Sequence, residues 1–479
     1  MSDFEIIREL ENKNYDFEFF NSKINFFSHS KFLLYSALKG EFKQKPVLNY
    51  SLFIFDLFIK KNRSKIFHEE KVIFFAYTGN QIKNLLPIYN EFDEIEKSCF
   101  FLKQSPAHNK IKNIFFRKSI GIYNEINPEE IDSDFLQRYV TYDSVKIAFQ
   151  FLRWSLSNRK SIIKDLSYLS TRFGCAGKEK YLFNLLVSHY FYNIFLLSAF
   201  RNYLISSRTK LIILSNEFTM LGNLTIFLAK SLNVKTLYIP HSIITGHPVY
   251  EEILSDKVVL QGQHDYELLK DHFNIPPEKM IVTGRPFIEQ RLIKYSGIKK
   301  DSSEKTICLA TQPLPVKMEF VQEIIDELQK AKKPNIKILI KPHPSEKADS
   351  YTRFQGNNIE LSLENDLFKV LSASDLVITI NSNAAAEAAF LGIPALSYNP
   401  WKIHRPIYVK NGVIEEIVEK VELSGKIEEM LFDEDAIDDY KKRAKGYTLY
   451  MNNMLDGKSA ERIIDVIKSC FLIDVLKLY

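Results

Sequence analysis

Val72-Ile73-Phe74-Phe75-Ala76-Tyr77-Thr78-Gly79-Asn80 is the stretch on which the fold of this 479-residue chain turns. Six apolar residues in a row suit a strand covered on both faces, Thr-Gly-Asn ends them in a turn, and Leu85, Leu86 and Ile88 then recur at helical spacing. Strand, glycine turn, helix is how a doubly wound α/β domain opens. The alternation resumes downstream with Leu211-Ile212-Ile213-Leu214, a helix over 224–232, and strands at 235–239, 257–260 and 280–283. After a polar joint at 299–305, a second series places strands at 306–311, 336–341, 376–380 and 395–398. Two α/β domains are therefore expected. The first spans 1–290 with an aromatic-rich helical insertion about 130–207, the second 291–455, and a last helix occupies 456–479. Residues 1–50 read as helical and carry no motif.

Composition narrows the class. With 46% hydrophobic residues and only 16 Gly and 17 Pro, the chain is neither collagen-like nor disordered. The four cysteines, Cys99, Cys175, Cys308 and Cys470, are too far apart for a metal clip, and a reducing compartment is the simplest inference. Sixty-four basic against 59 acidic residues leave +5, too little for this length to argue for nucleic acid. Met1-Ser2-Asp3-Phe4-Glu5 lacks the basic and apolar regions of a signal peptide, so a cytoplasmic location is expected. Residues 182–200 carry no formal charge and would span a bilayer by length. Asn184, Ser188, His189 and Asn193 fall near one helical stripe, however, which is the polar seam of a buried helix.

Open parallel sheets bind ligands beyond the carboxyl ends of their strands, so the residues just after each strand are the candidates. In the second series these are Gln312-Pro313, Lys341-Pro342-His343-Pro344 and Asn381-Ser382-Asn383, preceded by Gly284-Arg285-Pro286 at the close of the first. Two prolines fix φ on either side of His343 and remove two backbone donors, directing its imidazole at a strand end beside Lys341. The alternative is a turn histidine, which is the reading for His247-Pro248. Asn381-Ser382-Asn383 runs into an alanine-rich helix start whose N–H groups suit a phosphate, an ordinary N-cap being the alternative. Glu387 lies four residues past Asn383, not the three of a capping box, and suits a ribose hydroxyl. In the first domain Glu217 and His241 are the candidate catalytic groups, against a first-turn acid and a satisfied loop histidine. Asp56 is an acid without context. The basic aromatic run 110–118 reads as a solvated face, or as one turned toward an anionic membrane.

Taken in order, residues 258–286, Gln312-Pro313, His343-Pro344 and residues 375–394 resemble the donor half of glycosyltransferases of the two-Rossmann GT-B type. The His-Pro motif is similar to that of bacterial transferases using cytidine nucleotides: sialyl- and polysialyltransferases, CDP-glycerol glycerophosphotransferases and capsular Kdo transferases. The pairing of Gln-Pro with His-Pro resembles the retaining β-Kdo transferases of capsule and O-antigen synthesis. The resemblance covers roughly 240–400.

It implies two Rossmann-like domains facing a cleft and a CMP-linked sugar donor, Kdo or a related 2-keto acid sugar. Gln312 and His343 would hold the cytidine monophosphate, with His343 at its phosphate, Ser382 and Asn383 as further donors, Glu387 at the ribose, and Lys341 and Arg285 in the same pocket. It implies no metal, no cofactor beyond the donor, and a surface glycan or its lipid-linked precursor as acceptor, reached from the inner membrane face. Glu217 would be the nucleophile of a retaining enzyme or the general base of an inverting one, with His241 as proton shuttle. A CDP-glycerol- or sialyl-type transferase, a UDP-sugar 2-epimerase of the same architecture and a non-catalytic nucleotide-binding scaffold stand as alternatives.

Overall fold

The computed structural model describes residues 3–39, 72–76, 78–92, 97–101, 139, 141–295, 304–331, 335–356, 358–403 and 406–472. Asp56, Tyr77, the run 110–118, the start of the insertion and most of the joint at 299–305 lie outside the described residues. The N-terminal segment departs from its helical reading. After a helix at Asp3–Arg8, strands β1 (Asp16–Phe19) and β2 (Ser22–Asn25) pair as an antiparallel hairpin. Asp-Phe-Glu-Phe has the period of a strand, so Phe17 and Phe19 enter the core while Asp16 and Glu18 face water.

Strands β3 (Val72–Ala76), β4 (Lys97–Phe101), β5 (Leu211–Leu214), β6 (Lys235–Tyr238), β7 (Lys257–Leu260) and β8 (Met280–Val282) form one all-parallel sheet in the order β4-β3-β5-β6-β7-β8. Side chains alternate across it. Val72, Phe74, Leu211 and Ile213 pack with the helix Gly79–Glu91 and with Ile463, Ile464 and Ile467 from the far end of the chain. Ile73, Phe75, Ile212 and Leu214 face the other way, against the hairpin and the helices Tyr142–Ser157, Arg159–Arg172 and Glu179–Ser206. Glu179–Ser206 is long and apolar enough to cross a membrane, yet 67% of its apolar window is buried within the protein. Asn193 is buried in its seam, while Asn184 reaches solvent.

A second all-parallel sheet contains β9 (Lys305–Ala310), β10 (Ile336–Lys341), β11 (Ile359–Leu361), β12 (Leu376–Thr379), β13 (Ala395–Tyr398) and β14 (Glu415–Ile417), in the order β11-β10-β9-β12-β13-β14. Strand order reverses between β3 and β5 in the first sheet and between β9 and β12 in the second. These are the switch points where doubly wound sheets open a crevice.

The chain divides into one unit of Met1–Leu260, Asp265–Thr283 and Ala460–Tyr479 and another of Gln261–His264 and Gly284–Ser459. The division near the first series thus falls at Gly284 rather than 290, because the helix Pro286–Tyr295 is tied into the second unit: Arg291 and Tyr295 both bond Asp366. The last helix is not a separate piece but completes the first sheet's cover.

One close approach in the first unit bears on the switch point. A Cβ on Gly222, in the helix Met220–Ser231, would stand 2.3 Å from the Asn216 carbonyl oxygen and 3.0 Å from the Glu217 Cα. Gly222→Ala should therefore lower stability by about 1–3 kcal/mol, the range for overpacking a filled site. A thermal melt checks it, and an unchanged midpoint would show that the 216–217 loop yields freely.

Candidate functional site

In the second unit the crevice between β9 and β12 is closed by one amide. Gln312, just past β9, accepts the Asn381 N–H at 2.9 Å and the Thr379 hydroxyl at 3.4 Å on Oε1, and its Nε2 donates to Asn381 Oδ1 at 2.6 Å. Both ends of its side chain are engaged with the loop after β12, so Gln312 acts through Asn381, as a brace for the mouth of the crevice.

His343 follows β10 on an exposed turn. Its Nδ1 accepts the Ser345 N–H at 3.2 Å and lies 2.7 Å from the Ser345 hydroxyl. A nitrogen that accepts from an N–H carries no proton, so the neutral ring holds its hydrogen on Nε2 and presents a donor. The turn itself is held by a residue that sequence reading passed over. Glu346, its side chain buried, accepts from the His343 N–H (3.0 Å), the Thr311 hydroxyl (2.6 Å) and the Tyr351 hydroxyl (2.7 Å), with Lys317 Nζ at 3.3 Å. Burial alone would raise its pKa, but these donors outweigh it and hold the carboxyl below its ordinary range. Lys341 donates to the Pro342 carbonyl at 3.1 Å, and burial lowers its pKa.

Ser382 and Asn383 open the seven-residue helix Ala384–Phe390. Ser382 Oγ accepts the Ala384 N–H at 3.2 Å, and its carbonyl accepts the Tyr408 hydroxyl at 2.7 Å. Asn383 is the exposed N-cap position and makes no side-chain cap bond, so the ordinary capping role falls to Ser382. One turn in, partly buried Glu387 has its carboxyl pushed up to about 7, by burial first, against the pull of Arg285 and Arg291 and with the nearby Asp366 adding to the rise. Both guanidinium groups lie by the Phe287 ring, Arg285 at 5.9 Å and Arg291 at 5.2 Å from its centre. Gly284, at φ 95°, lets the chain turn sharply from β8 to Arg285. The unit therefore gathers Arg285 and Glu387 in one electrostatic neighbourhood and ties His343 to the end of β9 through Glu346.

The first unit braces its own switch point with Asn84, buried on the helix after β3. Its amide nitrogen reaches the Ser215 hydroxyl (2.9 Å) and the Ile239 and Pro240 carbonyls (3.1 and 3.2 Å). Ser215 in turn donates to the Ile239 carbonyl at 2.9 Å. His241 follows, and its Nδ1 lies 2.7 Å from the Ser215 carbonyl. A carbonyl only accepts, so Nδ1 carries the hydrogen and Nε2 is the basic nitrogen, the reverse of His343. Glu217 departs from the expected nucleophile. It is fully buried, accepting the Leu254 N–H (2.9 Å), the Ser255 N–H (3.1 Å) and the Ser255 hydroxyl (2.6 Å). Burial raises its pKa even against these bonds. A carboxylate so enclosed anchors the turn that leads into β7.

Asn84 and Glu346 went unread because neither stands after a strand in a conspicuous motif. The signal for Glu346 was its position three residues past His343, within reach of the same turn. Among the described residues no three His, Cys, Asp or Glu side chains gather as metal ligands would.

Residues 241–469 match the family described as CDP-glycerol:poly(glycerophosphate) glycerophosphotransferase. No curated protein matches the sequence. Among solved structures, the chain is similar to a protein assigned as UDP-N-acetylglucosamine 2-epimerase from Listeria monocytogenes, with 13% identity and a TM-score of 0.53 over 84% of this chain and 96% of that one. It is similar also to S. aureus MnaA with UDP, at 13% identity and a TM-score of 0.50 over the same shares. These likenesses are of fold, and with the two parallel sheets they place the chain in the GT-B class.

Two outcomes follow from the carboxylates. Glu217→Ala strips the acceptor from three buried donors and should cost about 1–3 kcal/mol in a denaturant titration. An acid whose folded pKa is raised contributes stability below its unfolded value, 4.5, and loses it as pH climbs through the folded value, about 7 for Glu387. Wild type should therefore lose stability relative to Glu387→Gln between pH 5 and pH 8. A difference that grows in wild type's favour would mean that the arginines, not burial, set the balance.

Proposed function

We propose that this chain is a transferase that takes an activated group from a cytidine nucleotide and attaches it to a hydroxyl of a growing surface glycan or its lipid-linked precursor. The observation that carries the reading lies in the second unit, where Arg285 and Glu387 share one electrostatic neighbourhood and His343, on the turn after β10, accepts the Ser345 N–H on Nδ1 and so presents an Nε2–H. The family match over 241–469, which begins at His241, supports it and favours CDP-glycerol as donor. The Gln312-Pro313 and His343-Pro344 pair favours a CMP-linked sugar such as Kdo. Both donors release CMP.

The acceptor oxygen attacks the outer phosphorus of the CDP-linked group, or the anomeric carbon of the CMP-linked sugar. The bond from that atom to the CMP oxygen breaks, and CMP leaves with the electron pair. The hydroxyl proton passes to a general base, the role proposed for His241 of the first unit. His343 Nε2–H donates to the departing phosphate, Arg285 adds positive charge, and Glu387, with ribose hydroxyls to receive, orients the nucleoside. Lys341, Ser382 and Asn383 complete the donor pocket in this reading, and no metal or further cofactor is called for. Glu217 as enclosed leaves one displacement as the favoured course over a double one through an ester. In this reading the reaction belongs on the inner side of the membrane, where the resemblance to transferases of lipid-linked glycans puts it.

Calorimetry in chelator, then turnover with CDP-glycerol and CMP-Kdo, tests this. CMP should bind tighter than UDP, and His343→Ala should weaken CMP by about tenfold, the loss of one charge-assisted bond. His241→Asn should keep CMP affinity while turnover falls about 10²- to 10⁴-fold. Tighter UDP binding, complete dependence on magnesium, or full turnover in His241→Asn would overturn the reading.

A further inference from the structure

We infer that the outer face of the helix Tyr142–Ser157 is a docking surface for an anionic lipid bilayer. The helix has two apolar faces. One, with Ile147 and Phe151, lies in the core, where Phe151 packs on Phe17, Phe26 and Tyr190, and Ala148 beside them meets Phe195. The other faces water: Tyr142 is 82% exposed, Phe149 60% and Leu156 64%. Single exposed apolar residues are ordinary, but these stand seven apart, with exposed Lys146 and Arg153 between them. At 100° per residue all five fall within about 80° of one another, a single stripe of alternating apolar and basic side chains.

The surroundings share its sign. Residues 141–180 hold eight Lys or Arg against three Asp or Glu, an excess as large as the net +5 of the whole chain. Exposed Lys160 and Lys164 continue it on the next helix, where Arg172 lies over the exposed Tyr168 ring at 5.7 Å. The complement of such a face is a surface both negative and able to admit rings and Leu side chains a few ångströms deep, which an anionic bilayer provides and a nucleic acid backbone does not. The inference deepens the proposed function by giving a lipid-linked acceptor's membrane a place on the protein, but its geometry stands without that reading.

The test uses the full chain in flotation with vesicles of phosphatidylcholine alone or with 30% phosphatidylglycerol, and with turnover measured separately on a soluble acceptor. Anionic vesicles should bind at least about tenfold more tightly than neutral ones, and less so at 0.5 M salt. Lys146→Glu with Arg153→Glu should lose more than about 25-fold, at about fivefold or more per cation. Tyr142→Ser, Phe149→Ser and Leu156→Ser together should weaken binding at least tenfold, with the melting curve and soluble turnover kept. Phe149→Trp should shift its emission to the blue with anionic vesicles. Failure to bind anionic vesicles, variants that bind as wild type does, or a short DNA duplex that binds as tightly and with the same losses would overturn it. Loss of soluble turnover in wild type would count against the proposed function and leave this surface standing.

Discussion

Where the order of parallel strands reverses, two neighbouring loops are sent apart, and each unit of this protein closes that gap with a single side-chain amide. Gln312 does so between β9 and β12, and Asn84, on the helix after β3, does so by reaching Ser215 after β5 and the Ile239 carbonyl after β6. An amide suits the task because it donates and accepts at once, satisfying backbone groups that a sheet leaves unpaired at its edge of exit. Everything further out rests on these braces. Asn381, at the head of the loop that leads to Ser382 and Glu387, takes its place from Gln312, and the Ser215 carbonyl that fixes His241 belongs to the residue Asn84 holds.

Buried carboxylates do the next layer of positioning. Glu217 receives three N–H or O–H donors from the turn at 254–255, Glu346 receives them from Thr311 and from nearby His343 and Tyr351, and Glu289 receives the Gly457 and Ser459 N–H groups. Such acids are expensive to bury and are tolerated because each satisfies several donors that would otherwise be stranded. The two kinds of acid separate by environment: Glu217 is enclosed by donors, whereas Glu387 sits partly buried among arginines with its carboxyl near neutrality.

The covered strands were legible because burial on both faces writes itself as runs such as Leu211-Ile212-Ile213-Leu214. The strands that escaped, β4, β11 and β14, are all sheet edges. Ile359-Glu360-Leu361 and Glu415-Glu416-Ile417 mix charged and apolar residues over three positions, too short for a period to show. The hairpin of β1 and β2 was hidden by the aromatic density around it, which reads as a helix face unless the alternation in Asp-Phe-Glu-Phe is weighed. At the site, proximity to strand ends picked out His343, Gln312 and His241. Direction was beyond it, because whether Gln312 faces a ligand or a neighbouring loop depends on the order of strands in space.

The proposed chemistry depends most on the hydrogens of two imidazoles. His241 faces a carbonyl through Nδ1 and His343 an N–H through Nδ1, so the neutral rings carry their hydrogens on opposite nitrogens. Long-range proton–nitrogen NMR on protein labelled with ¹⁵N-histidine reads this directly, with His241→Asn and His343→Asn supplying the assignments. Nδ1–H is expected for the neutral ring of His241 and Nε2–H for that of His343. The opposite pair, or one tautomer common to both rings, would contradict it.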